Sequence, residues 1–234
     1  MGGPSRCLCR RGLVTHEKTD RSDDAAAGGG ASDPTDADAY APPSKQSGSL
    51  AALSKGTIVL HAQSFVVGRF GDAGWQAVLD RLPAGDRETF KAILPITWYP
   101  HEVDVRLFGA MVEVLGNGDR QVLVDLGHFE AEQDLRRIHR MFLRFANPAY
   151  VLEKASDYWS RFHNTGRWIV ERKENGASGT LLDFDPPDEL HCIYLGAYIL
   201  RMFELVGGRQ VRVIHSQCRC RGDSGCIFEG IWSS

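Results

Sequence analysis

The residues best equipped for chemistry crowd toward the C-terminus. The run HCIYLGAYILRMFELVGGRQVRVIHSQCRCRGDSGCIFEGIW carries Cys192, His215, Cys218, Cys220 and Cys226. Thiolate sulfur and neutral imidazole nitrogen are the donors that zinc takes, four to a tetrahedron. His215 and Cys218 stand where a strand-like segment runs into a turn. Gly222 and Gly225 let the chain reverse, so that Cys226 returns on the next strand. Cys192 belongs to the preceding helix, on a stripe with Leu195, Ile199, Met202 and Val206 that faces the interior. Four donors from these elements would staple the helix to the hairpin. The plainer alternative makes Cys192 a buried thiol and His215 a surface strand residue. In the Cys218-Arg219-Cys220 run either thiol can serve, so Cys220 stands as an alternative to Cys218.

Other groups invite chemistry less. His128, Glu132 and His139 share a helix face by spacing, as a metal site or a solvated face would. Arg136, Arg137, Arg140 and Arg144 form a basic stripe suited to an anion or to solvent. Asp183, Asp185, Asp188 and Glu189 precede and open a helix, where the macrodipole alone favours acids. His191 and Cys192 are helix neighbours pointing about 100° apart, so they form no catalytic dyad with each other. Neither a G-x-S-x-G elbow nor a Walker loop occurs.

The elements that must position these groups follow from period and punctuation. Thr57–Leu60 is a short β-like run, and Phe65–Phe70 continues it or opens a first helix. Gly74–Leu82 and Asp86–Leu94 are short helices bounded by Pro83 and Pro95, with Asp86 as an N-cap. Pro100 opens a helix that Gly116-Asn117-Gly118 ends. Its two apolar stripes, one through Val103, Leu107 and Met111 and one through Val105, Phe108 and Val112, predict deep burial. Arg120–Ala146 and Pro148–Phe162 read as two further helices. Arg167–Lys173 and Ser178–Phe184 alternate like strands about Asn175-Gly176. Asp188–Val206 is a strong helix, and Arg209–Gln217 with Cys226–Trp232 make the last strand pair. The fold class expected is α+β: a helical N-terminal half on an antiparallel sheet of about four strands, closed by the cysteine-rich hairpin.

Composition bounds the rest. The 234 residues are 43% hydrophobic and 24% charged, enough for one core. Residues 1–50 are Gly, Ala, Ser, Asp, Pro and Thr with one aromatic, Tyr40, and read as a disordered tail ahead of a single domain, 51–234. A net charge of −3 argues against nucleic acid. No apolar run approaches the ~18 residues of a membrane span. The first residues lack the apolar stretch of a secretory signal, and Arg6 breaks the myristoylation pattern. The expectation is a cytoplasmic protein whose six cysteines stay reduced, which favours metal over disulfides.

Three signatures carry a resemblance: Trp75, Leu79, Leu82 and Pro83 as W-x-x-x-L-x-x-L-P, the box Thr97–Pro100, and His215–Cys226 followed by Trp232. Residues 57–232 resemble a myxobacterial-type paralogous domain family of unknown function. The ending is also similar to the 4-vinyl reductase small-molecule-binding domain, related in fold to haem nitric-oxide sensors. That resemblance implies a structural zinc held by Cys192, His215, Cys218 and Cys226, with His215 where the family has a carboxylate. It also implies an apolar pocket between helices and sheet, for whose lining Trp98, Phe108, Met111, Tyr194 and Tyr198 are the candidates. The sensors grip haem propionates with Tyr-x-Ser-x-Arg. Here Tyr158-Trp159-Ser160-Arg161 is one residue short and no proximal histidine stands out, so the expectation is no haem. The function expected is a non-enzymatic module that binds a small apolar molecule and signals to a partner protein, with a homodimer as one route. An enzyme acting on an apolar or tetrapyrrole-like substrate, and a ligand-free interaction domain, are the alternatives.

Overall fold

The structure is a computed structural model that describes residues 13–14, 51–137, 150, 154–174 and 176–233. Strand β1 (Leu13–Val14) lies inside the stretch expected as a tail and pairs with a strand near the C-terminus. Strand β2 (Leu53–Lys55) feeds directly into helix α1 (Gly56–Arg81). The run Thr57–Leu60 is thus helical rather than β-like. Three apolar residues after a threonine carry no period that separates a strand from a buried helix, and here Ile58, Val59 and Ala62 bury together. Helix α1 breaks at Gly71 (φ 73°, ψ 177°), between the two helical stretches read from the sequence.

Helix α2 (Ala84–Lys91) takes Pro83, not Asp86, as its N-cap. Asp86 sits in the first turn and is buried, because its carboxylate accepts two hydrogen bonds from the Arg106 guanidinium at 2.6 and 2.9 Å. A bidentate charged pair is stronger than a capping bond. Strand β3 (Trp98–Pro100) pairs antiparallel with β2, setting Ser54 opposite Tyr99. Helix α3 (Glu102–Val114) buries Val103, Leu107, Phe108, Ala110 and Met111, while Val105 and Val112 are only half-buried. Helix α4 (Gln121–Arg137) follows. Its expected continuation to Ala146, His139 and most of the basic stripe lie outside the described residues. Of the helix expected over Pro148–Phe162, the described part is α5 (Ala155–Trp159).

Strands β4 (Arg167–Lys173) and β5 (Gly176–Leu182) form a hairpin whose register runs down to Lys173 opposite Gly176, so β5 starts two residues earlier than expected. Helix α6 (Glu189–Leu205) is capped by Asp188, which accepts from the His191 backbone N–H at 2.8 Å. Strand β6 (Arg209–Gln217), a 3-10 turn at Arg219–Arg221 and strand β7 (Cys226–Ser233) complete the chain. The antiparallel sheet has the order β1-β6-β7-β5-β4, and β2 with β3 forms a second, small sheet.

Helix α6 lies between two layers. One side meets β6 and β7, where Phe203 packs against Gly230 and Trp232. The other side meets α4. The helices approach closely there: a Cβ on Gly127 would lie 2.6 Å from the Tyr194 carbonyl oxygen and 2.9 Å from the Tyr198 nitrogen. A glycine is what permits that spacing. The fold is α+β, with the helical half on an antiparallel sheet and a C-terminal cysteine hairpin. Among the described residues no helix is long and apolar enough to cross a membrane.

Candidate metal centre

The hairpin between β6 and β7 is held by its own backbone. The Cys218 N–H donates to the Asp223 carboxylate at 2.7 Å, and the Cys218 carbonyl accepts from Arg221 and Asp223. Gly222 closes the turn at φ 93°, a conformation that side chains resist. The Arg221 guanidinium donates to the Ser216 carbonyl at 3.0 Å, and Arg219 donates to the Phe184 carbonyl at 2.6 Å. The Arg219 backbone N–H points at the Cys226 sulfur, 3.5 Å away. Such backbone donors to sulfur stabilise the thiolate form.

Cys192 reaches this hairpin from the first turn of α6. Its sulfur lies 3.9 Å from that of Cys218 and 3.8 Å from that of Cys226. Sulfurs bound to zinc at about 2.3 Å in a tetrahedron stand roughly 3.8 Å apart. His215 stacks on Phe228, ring centres 4.4 Å apart and planes 3° from parallel. One donor atom from each of Cys192, His215, Cys218 and Cys226 falls within 4.8 Å of the others. The three cysteines are buried and His215 half-buried. The neighbouring sulfurs, Cys218 first, hold the Cys192 thiol up, while hydrogen bonds from Cys192 and the other thiols pull Cys218 down. Thiolate is the metal-binding form of cysteine. Cys220, half-buried in the 3-10 turn, is not one of these four donors, and its thiol also interacts with those of Cys192 and Cys218.

The pocket candidates divide. Phe108 and Tyr194 pack with ring centres 5.1 Å apart, Tyr198 follows Tyr194 at 6.5 Å, and Met111 is fully buried in the same core. Trp98 is half-buried on the small two-stranded sheet, with the Lys55 ammonium 4.8 Å from its ring centre. Tyr194 donates to buried Glu130 and Tyr198 donates to Asp134, so α4 and α6 share two phenol–carboxylate pairs. Burial drives the Glu130 carboxyl well above its ordinary range. Glu132 is engaged by Arg201 at 2.8 Å, as on a solvated helix face. A cavity of about 10 Å³, room for about one water, lies between His191, Cys192, Leu195, Phe184 and Phe228.

A second buried group was not foreseen. His101, His163 and His191 meet beside Phe184, Trp159 and Phe108. Ser54 sits between two of them, its oxygen 3.1 Å from His101 Nδ1 and 3.3 Å from His163 Nδ1. Asp104 accepts from the Tyr99 hydroxyl and lies 3.3 Å from His101 Nδ1. The network is satisfied when His101 carries its proton on Nδ1 and donates to Ser54 and Asp104, while Ser54 donates to His163. Burial, then the neighbouring imidazole of His101, holds His163 and His191 well below the usual histidine range. The sequence held one local signal: His101-x-x-Asp104 directly after the Trp-Tyr-Pro box.

No protein-family model and no curated protein matches the chain, so neither the myxobacterial-type family nor the 4-vinyl reductase domain gains support from sequence comparison. Solved structures do match. A mutant H-NOX protein from S. oneidensis in the Fe(II) ligation state superposes with a TM-score of 0.61 at 13% identity, covering 77% of this chain and 96% of that one. The fold is that of the H-NOX domains. The unliganded Fe(II) H-NOX protein from K. algicida gives a TM-score of 0.58 at 11% identity, covering 77% and 97%. The NMR structure of a Shewanella oneidensis H-NOX domain in the Fe(II)CO state gives 0.57 at 15% identity, covering 77% and 99%.

This likeness overturns the exclusion of haem. Another H-NOX match is a Fe(II)NO state, and a further one concerns heme distortion in the family. The exclusion rested on the spacing of Tyr158-Trp159-Ser160-Arg161 and on the lack of an obvious histidine. At 11–15% identity a fold persists while local spacing drifts, so a missing motif excludes nothing. In this structure Trp159 is committed to the core, its indole N–H donating to the Thr165 carbonyl at 2.8 Å. Among the described residues, the cluster of His101, His163 and His191 does not fit a macrocycle as it stands. His101 is closed in by Phe184 at 4.4 Å and His191 at 5.0 Å between ring centres, which leaves no slot beside its free nitrogen.

Proposed function

We propose that this chain is a ligand-sensing signalling module of H-NOX-like fold, in which a structural zinc ion at Cys192, His215, Cys218 and Cys226 ties α6 to the C-terminal hairpin. The convergence of three sulfurs and an imidazole on one buried point carries the metal part of the reading. Four protein donors leave no position for a substrate water, which is the mark of a structural site. The fold likeness to domains solved in the Fe(II), Fe(II)NO and Fe(II)CO states supports the sensing part.

The chain's own residues supply a route for the signal. Helix α6 joins the metal centre to the helical half: Cys192 enters the centre, while Tyr194 and Tyr198 bond α4. A small apolar molecule lodged beside Phe108, Met111 and Tyr194 displaces α6 relative to α4, and the hairpin moves with it. The output passes to a partner protein or a second copy of the chain. Reduced thiols suit a cytoplasmic setting. In this reading the module performs no turnover; Glu130, His101, His163 and His191 are packed in the core.

Native mass spectrometry of the full chain, purified from cells without chelator, tests both parts, with an absorption spectrum of the same sample to read out any porphyrin. The expected result is one bound organic mass together with zinc. Metal without any organic mass would favour an interaction domain over a sensor. No metal would remove the structural centre.

A further inference from the structure

The five-stranded sheet treats its two edges differently. In the order β1-β6-β7-β5-β4, the edge of β6 is taken by Leu13 and Val14 of β1, which lie opposite Ile214 and Val213. At the other end stands β4, and among the described residues no strand pairs with its far side. Its ladder with β5 runs from Arg167 opposite Leu182 to Lys173 opposite Gly176 without a shift, whereas the β6–β7 ladder shifts twice. A regular edge of seven residues, with neither bulge nor proline, is a template for another strand.

The outward backbone groups can be assigned. The Gly166 N–H donates to the Asp183 carbonyl at 3.1 Å, one step before the Arg167–Leu182 pair. Opposite residues of an antiparallel ladder alternate between pairs that exchange both backbone bonds and pairs that exchange none. Gly166, Trp168, Val170 and Arg172 therefore bond β5, while Arg167, Ile169, Glu171 and Lys173 turn their N–H and C=O groups outward. The side chains of these last four are exposed, Ile169 at 41%. Trp168 is buried on the other face, packed on Phe228 with 6.0 Å between ring centres.

We propose that β4 pairs antiparallel with β4 of a second copy of this chain about a two-fold axis at Ile169, making one continuous sheet across the dimer. Outward residues must meet outward residues. With the axis at Val170, Arg167 faces Lys173 of the second copy, so like charges meet on both sides of the axis. With the axis at Glu171, two carboxylates face each other. With the axis at Ile169, Arg167 faces Glu171 of the second copy twice over, and the two exposed Ile169 side chains cover each other. Opposite charges directly across strands attract and like charges repel. Charges that ordinarily keep a neighbour off an edge thus select one register here. Half-buried Val170 then lies opposite the second copy's Trp168, and the outward pairs from Arg167 to Glu171 exchange about six backbone bonds. Arg167 is available for this, since its ion pair with Asp183 is 3.5 Å long and both partners are exposed.

This surface deepens the signalling reading, on which it rests for its purpose alone, because the pairing needs neither metal nor ligand. Strand β5 links the edge to the thiol centre, with Leu181 opposite Cys226.

Sedimentation velocity of the full chain at rising concentration, with no ligand added, tests the pairing. The expected result is a monomer–dimer equilibrium. Ile169→Pro removes the N–H at the axis, which β5 does not use, and should weaken the dimer at least about tenfold while the monomer keeps its fold. Glu171→Arg sets Arg167 against a second guanidinium and should weaken it about tenfold. Combining Arg167→Glu with Glu171→Arg exchanges the charges and should restore the parent affinity. A chain that stays monomeric at millimolar concentration overturns the proposal. So does a dimer that Ile169→Pro leaves intact, or one that the combined charge exchange does not restore. If Ile169→Pro fails to fold, the charge variants decide, since both side chains are exposed. A monomer that carries an organic mass in native mass spectrometry discards this inference and keeps the sensing reading.

Discussion

His191 and Cys192 are neighbours in the chain, yet their side chains enter two different buried clusters. Cys192 meets Cys218, Cys226 and His215, three of whose four members fall within 12 residues of one hairpin. His191 meets His101 and His163, from elements far apart in sequence. The thiol cluster is tight, its donors within 4.8 Å, and rests on a hairpin that its own hydrogen bonds shape. The imidazole cluster is looser, walled by aromatic rings and tied to one carboxylate, Asp104. A local turn sets the spacing of the ligands that it carries. A cluster drawn from several helices and loops exists only once the core has closed.

The largest effect tests the tight cluster. Chelation, or Cys226→Ser, should lower stability by at least about 3 kcal/mol, because metal affinity is folding energy. For a chain of this size that is a fall in Tm of roughly 6–12 °C, measurable by calorimetry with and without chelator. Cys220→Ser should cost less, about 1 kcal/mol, since its thiol touches Cys192 and Cys218 but is not one of the four convergent donors. An equal loss for both cysteines would break the ligand assignment.

Next in size is the anchor of the looser cluster. Asp104→Ala leaves the Tyr99 hydroxyl and His101 Nδ1 without their shared acceptor in the core. The expected cost is about 2–3 kcal/mol in urea denaturation, with the thiolate charge-transfer band of the cobalt-substituted chain unchanged. Loss of that band would show that the two clusters fold as one.

The third test is pH. Burial depresses His163 in the folded chain below its unfolded value near 6.5. Below that value the unfolded chain binds the extra proton, so stability held at neutral pH is lost as pH falls toward the folded value. The slope is at most about 1.4 kcal/mol per pH unit. His163→Gln should flatten the stability profile between about pH 6.5 and 5 relative to the parent chain. Both proteins are measured in chelator, so that acid release of metal contributes to neither profile. Identical slopes would remove His163 from the acid response.

The smallest effect probes the bridge between α4 and α6. Tyr198→Phe removes one phenol–carboxylate bond and should cost about 1 kcal/mol, checked by the shift in denaturation midpoint. A far larger loss would place the Tyr198–Asp134 pair, rather than Gly127, at the centre of that contact.

The α+β class, the long helix ending near Val206 and the cysteine hairpin were all legible in the residues, because each rests on a local cause. A period of 3.6 with Asp188 before it and Gly207-Gly208 after it makes α6. Alternation about a glycine-rich turn makes β6 and β7. The four donors converge for the same reason: three ride one hairpin, and the fourth lies on the buried stripe of the adjoining helix. Local causes also misled. Thr57–Leu60 looked like a strand because so short a β-branched and apolar run shows no period, and Asp86 looked like a cap because its partner, Arg106, lies 20 positions away. The tertiary structure alone decided that His101, His163 and His191 meet, that Gly127 lets α4 press on α6, and that Leu13–Val14 lie against β6. It also showed, through the H-NOX fold, that a haem motif absent by spacing is no ground for excluding haem. Contacts between distant segments depend on how whole elements stack, and no short window of sequence holds that information.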